Sequence, residues 1–362
     1  MAEGGGALDL MAGVSRQIGN YFSIISGLTS VVMVGFPALL IAAGAPAQRP
    51  DISLLTRHLH DGLNIGNLAL FSVLVFIAGV TAHPLQFGMT QILEGYWGHG
   101  RLQRRAMSRS QRRHTANWWN LSDSGIEARA RLGAIDGELK LVGDQRKIAQ
   151  FLGTPTERLD QKERDLVDSR IEPNVAWETA GMAAARYPSH PDQVLPTRLG
   201  NVLRRHERRA GEPFGLDAVH VIPYLSLVAE MPERSYLDDT RSAMDLPIRM
   251  VLVWALCTVE GVLLLWRYDF WLALPLLTYA FAYLAYRGAV SAASDYGNAL
   301  GVVLTLGRRN LYERLNIEFP PDLATERKTN AELDNLLAGR SGDVQFTASP
   351  AVKGQRKHWW PW

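Results

Sequence analysis

The apolar residues of this 362-residue chain fall into four blocks separated by polar stretches. The blocks cover about 22–43, 65–82, 248–266 and 270–286, and the first two contain no charged residue. A helix needs about 20 mostly apolar residues to cross the hydrocarbon core of a bilayer. The pattern therefore predicts four transmembrane helices. The alternative for each block is a buried core helix of a large soluble protein.

The connections between the blocks predict two antiparallel helical hairpins. The third and fourth blocks are separated by a turn too short for any other arrangement, residues 267–269. A polar segment, 46–64, joins the first two blocks. Ala45-Pro46-Ala47 has the small-x-small form of a signal-peptidase site, but the apolar run before it exceeds the usual length of about 7–15 residues. We therefore interpret that run as an uncleaved anchor.

The distribution of arginine predicts the orientation. Six arginines and no acid follow the second block within a few turns: Arg101, Arg104, Arg105, Arg109, Arg112 and Arg113. In the 46–64 segment, Arg49 and Arg57 are balanced by Asp51 and Asp61. The positive-inside rule places the arginine-rich side in the cytoplasm. We expect a multi-pass plasma-membrane protein with both termini and residues 99–246 in the cytoplasm.

The predicted fold is therefore all-α, with four transmembrane helices as two hairpins plus a helical cytoplasmic domain. Along the chain we expect a cytoplasmic N-terminus (1–20), helix 1 (21–45), an outer loop (46–64), helix 2 with an inner extension (65–98), the cytoplasmic helical domain (99–246), helix 3 (247–266), an outer turn (267–269), helix 4 (270–287), cytoplasmic C-terminal helices (288–339) and a disordered tail (340–362).

The cytoplasmic domain contains clear helix signals. One apolar stripe has helical spacing: Ala128, Leu132, Ile135, Leu139 and Val142. Thr154 to Glu157 has the form of a capping box, so a new charge-rich helix is expected to begin there. Shorter helices are expected at 175–186, 197–209 and 217–229. No alternating run predicts a β-strand. Pro84 is expected to kink the second apolar helix.

The arginine run and the tryptophans that follow it indicate contact with a membrane surface. Anionic headgroups attract arginine, and the indole rings of Trp118 and Trp119 suit the lipid–water interface. Nucleic acid is the alternative partner, because arginine also pairs with its phosphates. Position beside a predicted span favours lipid, and we expect no nucleic-acid partner.

Polar residues inside the apolar blocks are the candidates for chemistry in the membrane. Glu260 is a carboxylate within the third block, and such residues are costly to insert. By depth, Ser72, Thr278 and Tyr279 are expected to lie near it. The two interpretations are an interhelical polar contact and part of an ion or proton path.

The search for catalytic and metal-binding groups gives little. His58, His60 and Asp61 are weak candidates for a metal site, with a spacing that suits a strand better than a helix. Cys257 is the single cysteine, which excludes an internal disulfide and a cysteine-based zinc cluster. Phosphate-loop, dinucleotide, zinc-protease and serine-hydrolase motifs are absent. We predict neither an enzyme nor a cofactor.

Several stretches resemble an uncharacterised family of multi-pass membrane proteins of high-GC Gram-positive bacteria. They are HPLQFGMTQILEGYWG (83–98), YPSHPDQVLPTRLGNVLRRHE (187–207), FGLDAV (214–219) and YGNALGVVLTLGRRNLYERL (296–315). The resemblance covers about a third of the chain and implies a bacterial envelope setting and helical structure. It brings no activity, and the 99–170 segment and the C-terminal tail lie outside it.

From these observations we expect a non-enzymatic scaffold, anchor or regulator that acts through its cytoplasmic helical domain, by binding a protein partner or by self-association. The alternative is an oligomeric channel, transporter or membrane-disrupting effector with a polar path near Glu260.

Overall fold

The structure is a computed structural model that describes residues 29–62 and 65–346, apart from the side chains at 58–62, 65, 83 and 86. Every regular element in these ranges is a helix, as the sequence predicts. The predicted N-terminal segment 1–20 and the last part of the predicted tail lie outside the described residues.

The helices are α1 (Thr29–Ala42), α2 (Ile52–Gly62), α3 (Ile65–Glu94), α4 (Arg101–Phe151), α5 (Glu157–Ser169), α6 (Ile171–Ala184), α7 (Arg198–Gly211), α8 (Ala218–Val228), α9 (Met231–Leu265), α10 (Ala273–Arg314) and α11 (Leu323–Leu337). Short 3₁₀ turns lie at Pro191–Gln193, Glu212–Phe214 and Asp269–Leu272.

The chain divides into two compact units. Unit 1 takes in Met1–Leu93 and Ser235–Tyr296, and unit 2 takes in Glu94–Arg234 and Gly297–Trp362. The predicted cytoplasmic segments 99–246 and 288–339 therefore contribute to one unit, except that residues 235–246 and 288–296 belong to unit 1. Helices α9 and α10 run through the unit boundaries without interruption, so these boundaries carry no sequence signal for a linker.

Unit 1 contains two antiparallel helix pairs. In the first, α1 and α3 approach closely: a Cβ at Gly79 would lie 3.0 Å from the Ser30 hydroxyl oxygen. In the second, the Thr258 and Thr278 hydroxyl oxygens on α9 and α10 lie 2.9 Å apart. Small and hydroxyl side chains let helix backbones approach, which is how helices associate without a water-driven hydrophobic effect.

The outward faces of these helices are apolar and exposed. Phe76 on α3 is 71% exposed, Leu263 on α9 66% and Leu276 on α10 68%. Among the described helices, α9 is the one that is by itself long and apolar enough to cross a membrane. Helix α3 would be a second if its two bent parts, Gly66–Ala82 and Phe87–Glu94, form one span.

The bend in α3 follows the sequence. Its two parts meet at 52°, and Pro84 lies between them. Proline removes a backbone hydrogen bond and crowds the preceding turn, so the predicted kink is confirmed.

Three local predictions differ from the structure. The segment 46–64 was expected to be a loop but contains α2, which begins where the Asp51 carboxylate accepts from Ser53 N at 2.8 Å. The helix expected to be capped at Thr154 begins at Glu157, with Thr156 as its N-cap residue. Residues 340–346, expected to be disordered, lie against α11, where Asp343 N donates to Glu332 Oε2 at 3.1 Å.

A buried polar network holds α10 to α11 in unit 2. The Tyr312 hydroxyl donates to Asn330 Oδ1 at 2.6 Å, and Asn330 Nδ2 donates to Phe214 O at 2.9 Å. Burial raises the pKa of Tyr312, so the phenol remains a donor. Arg308 Nε pairs with the buried Glu326 Oε1 at 2.8 Å. Because each member has a partner, the network orients these helices at little desolvation cost.

Candidate interaction surface on the helical arm

Unit 2 contains a long helical arm, defined here as α4 paired with α5 and α6 (residues 101–184). Helix α4 has 51 residues and extends about 75 Å. Its buried residues are Ala128 and Val142, and α5 has none. Most of the arm surface therefore remains available for contacts outside the chain.

The arm is an antiparallel coiled coil. Along one face of α4, buried or half-buried positions recur every three or four residues: Met107, Gln111, His114, Trp118, Leu121, Gly125, Ala128, Leu132, Ile135, Leu139, Val142, Arg146 and Ala149. The facing positions follow the same repeat: Leu159, Glu163, Leu166, Pro173, Ala180, Ala184 and Tyr187. A repeat averaging 3.5 residues is the packing pattern of coiled coils. The predicted stripe from Ala128 to Val142 is its central part.

Ion pairs and one close contact show the register of the arm. Arg146 binds Asp160 at 3.0 Å and Glu163 at 2.9 Å. Further along, Arg170 binds Asp136 at 3.2 Å. A Cβ at Gly125 would lie 3.7 Å from Ala180 Cβ. Such half-exposed ion pairs contribute at most about 1 kcal/mol each, so their main effect is to select one register.

The base of the arm is bound to the segment 187–196 by side chains of α4. The contacts are Ser110 Oγ to Pro196 O at 2.6 Å, Gln111 Nε2 to Val194 O at 2.9 Å, Trp118 Nε1 to Pro188 O at 2.9 Å and His114 Nδ1 with the Tyr187 hydroxyl at 3.0 Å. Burial, then the charges of Arg198 and Arg113, lowers the pKa of His114. The ring is therefore neutral near pH 7.

Arg205 on α7 completes this attachment. Its guanidinium donates to Ala184 O at 3.2 Å and to Tyr187 O at 2.8 Å, at the end of α6. A positive charge there satisfies carbonyl groups that the helix leaves without partners and complements the helix dipole. The base of the arm is thus attached to the rest of unit 2 through both α4 and α6.

The six predicted membrane-surface arginines lie mainly on the side of α4 that faces away from these contacts. At about 100° per residue, Arg101, Arg104, Arg105, Arg109, Arg112 and Arg113 fall within one half of the helix circumference. Within the described part of the chain, none of the six guanidinium groups has a hydrogen-bond or ion-pair partner. This face is therefore a concentrated positive surface.

The two predicted surface tryptophans differ in role. Trp118 lies in the arm interface, where its indole N–H is already bonded to Pro188. Trp119 is 51% exposed and packs edge-on against Trp118 with 4.8 Å between ring centroids. The prediction that both rings face a membrane surface needs correction, because Trp118 stabilises the arm and Trp119 alone is available.

The predicted polar residues of the apolar helices do not come together. Thr278 bonds Thr258 and the Pro275 carbonyl, and the Ser72 hydroxyl donates to Leu68 O at 2.8 Å on its own helix. Tyr279 is 61% exposed. Glu260 Oε2 is buried and has no hydrogen-bond partner in the described ranges. The structure therefore supplies no continuous polar path among these residues.

The weak metal candidates His58, His60 and Asp61 have backbone in α2, a helix and not the strand that their spacing suggested. Their side chains are not among those described. Across the described residues, no group of three or more His, Cys, Asp or Glu side chains could hold a metal ion.

The sequence analysis missed a second apolar stripe on α4. It consists of Ile126, Ala130, Ala134, Gly137 and Leu141, spaced by four, four, three and four residues, and all five are exposed. The spacing was visible in the sequence, but three of the five residues are small and carry a weak hydrophobic signal.

Comparisons of the chain with protein-family profiles, with curated proteins and with solved structures gave no match. The family resemblance drawn from the sequence therefore stays a prediction, and function has to be argued from the residues themselves.

Proposed function

We propose that the chain is a non-enzymatic integral membrane protein that acts as a scaffold, anchor or regulator. Unit 1 lies in the plasma membrane, and the arm of unit 2 binds a protein partner in the cytoplasm. The observation that carries the proposal is a largely exposed coiled-coil arm in the same chain as a helical unit with an apolar outer surface.

The outer surface of unit 1 supports the membrane location. Soluble proteins rarely expose contiguous apolar patches larger than a few hundred Å². The exposed residues of α3, α9 and α10 include Val73, Phe76, Val80, Val259, Leu263, Leu276, Leu277 and Leu284. In lipid, exposing such an apolar surface carries no hydrophobic free-energy cost. On this proposal the first apolar block, of which α1 is the described part, and the apolar part of α10 also span the bilayer, which gives four spans.

The arginine face of α4 supports contact with anionic headgroups. Each arginine near an anionic membrane surface contributes about 1 kcal/mol, so six of them bind strongly and in a salt-dependent way. The face lies a few residues beyond α3, where a span that ends at the cytoplasmic surface would place it.

The proposal is tested by shortening the arm at a level where its two strands face each other. Residues 129–177 are replaced by a short Gly-Ser turn, because Gly125 faces Ala180 just below that level. We expect the variant to stay in the membrane fraction and to lose the proteins that co-purify with the full-length chain, as measured by quantitative mass spectrometry after detergent extraction.

The matched control inserts the same turn after Gly153, at the tip of the full-length arm. Gly153 has φ +68°, and a Cβ there would meet nothing, so the tip tolerates insertion. Identical co-purifying proteins for the shortened arm, the control and the unmodified chain would refute an arm that binds a different protein.

The channel or transporter alternative has one observation in its favour, a buried Glu260 oxygen that has no hydrogen-bond partner among the described residues. A conduction path needs several polar groups in a line. Thr278 and Ser72 are bonded elsewhere, so the scaffold proposal is the stronger of the two.

A further inference from the structure

We propose that the second apolar stripe on α4 binds a second copy of this chain. The α4 helices of the two copies pair in parallel, stripe against stripe. The inference deepens the proposed function, and it rests on that function only for the membrane that holds both copies. The stripe runs from Ile126 to Leu141, with Ile148 two turns further on.

The stripe has the shape of a helix-pairing face. Ile126 is 66% exposed, Leu141 64% and Ile148 59%, although each is an aliphatic side chain in the middle of a helix. Between these aliphatic side chains the helix surface forms a shallow depression, since a Cβ at Gly133 or Gly137 would meet no atom within 4 Å. Small residues flanked by large aliphatic ones allow two helices to approach and interlock.

Charged side chains border the stripe asymmetrically. On the helical wheel, Arg129 and Lys140 lie along one border and Glu127 and Glu138 along the other. Glu127 is already paired with Arg131 of its own helix at 2.7 Å. Within the described residues, no ion-pair partner occurs for Arg129, Lys140 or Glu138, which leaves one border basic and the other acidic.

This asymmetry selects both the occupant and its direction. When two identical helices pair in parallel about a two-fold axis, each border faces the opposite border of the partner, so basic meets acidic. An antiparallel pair would bring like borders together. Lys140 and Glu138 are two residues apart, so the opposed charges lie at nearly the same height along a parallel pair.

A common membrane favours the pairing of two copies. Two copies anchored in one bilayer share one orientation. Confinement in the same membrane also raises their effective concentration, so a seam of modest area suffices.

The direction is tested by disulfide cross-linking in isolated membranes. Single cysteines replace Ala130 or Leu141 in a Cys257→Ala background, since Cys257 is the only native thiol. In a parallel, in-register pair every residue of the seam faces its own counterpart. We therefore expect mild oxidation to convert most of Ala130→Cys and most of Leu141→Cys to dimers on non-reducing gels.

Ser124→Cys is the matched control, because it lies on the same helix, is exposed and points away from the stripe. We expect at least about tenfold less dimer from it than from Ala130→Cys. Three results would overturn the inference: no dimer at either seam position, dimer at one seam position only as an antiparallel pair requires, or equal dimer from Ser124→Cys.

A second variant, Leu141→Glu, tests the seam without cross-linking. Leu141 makes little contact in its own copy, so the fold of the arm should survive and its helical circular dichroism should stay unchanged. We expect the dimer dissociation constant in detergent, measured by sedimentation, to rise at least about tenfold. An unchanged constant would overturn the inference but leave the arm-shortening experiment able to support the scaffold proposal.

Discussion

At the scale of single residues, the ionisable side chains of unit 2 differ in whether they have a charge partner. The buried Glu326 carboxylate pairs with Arg308 at 2.8 Å. Glu207 on α7 has no ion pair in the described ranges. Burial raises its pKa, and the nearby Arg204 charge only partly offsets that shift. When the desolvation cost of a buried carboxylate exceeds its attraction to neighbouring positive charges, the charged group destabilises the folded state.

Replacing Glu207 by glutamine should therefore stabilise unit 2 at neutral pH. The folded pKa lies above the ordinary value of 4.5, so ionisation costs free energy in the folded state. That cost is absent below the ordinary pKa, where the carboxyl is protonated in both states. It grows as the pH rises from the ordinary pKa to the folded pKa and is fully present above the folded pKa. We expect Glu207→Gln to raise the unfolding temperature by up to about 3 °C at pH 7.5.

The measurement is thermal unfolding in detergent at several pH values, followed by tryptophan fluorescence. The gain should shrink as the pH approaches 4.5. Glu318→Gln is the control because Glu318 is exposed, and it should change nothing. A gain for Glu207→Gln that is independent of pH would show that the effect does not come from ionisation.

At the scale of elements, the sequence was a good guide to which segments are helices and a poorer guide to how they pair. The stripe from Ala128 to Val142 predicted the centre of α4 correctly. The repeat toward the base of the arm was not recognised, because its contact positions hold polar or small residues such as Gln111, His114 and Gly125. The carbonyl groups that Gln111 and Trp118 bind lie 83 and 70 residues away along the chain, and no local pattern reports them.

The packing of α7 against the end of α3 depends on one glycine. A Cβ at Gly200 would collide with the Glu94 carbonyl oxygen, which belongs to backbone and cannot easily move. Gly200→Ala should therefore destabilise unit 2 by about 2–3 kcal/mol, since the helix must shift outward. The midpoint of thermal unfolding in detergent measures the effect.

Gly181→Ala on α6 is the matched comparison, because Gly181 is exposed and a Cβ there would meet nothing. It should be neutral or stabilise by up to about 1 kcal/mol through helix propensity. Equal unfolding midpoints for the two alanine variants would mean that α7 does not lie directly on the carbonyl of Glu94.

At the scale of the whole molecule, the proposed orientation depends on a few charges next to apolar helices. The six arginines at the start of α4 have no acid among them, whereas Arg49 and Arg57 are balanced by Asp51 and Asp61. The sequence alone gave this asymmetry. What it could not give is that the guanidinium groups of the arginine face of α4 make no hydrogen bond or ion pair within the described residues, because that depends on how the arm packs.

The orientation is tested with single cysteines in the Cys257→Ala background and a maleimide that cannot cross membranes. In intact cells, Gln48→Cys in the outer segment should react, and Ser124→Cys in the arm should react only after permeabilisation. When all six arginines are replaced by glutamine, the charge bias that orients the first hairpin disappears. A substantial fraction of Ser124→Cys should then react in intact cells. Reaction of Ser124→Cys in intact cells without the arginine replacements would reverse the proposed topology, and with it the cytoplasmic location of the arm.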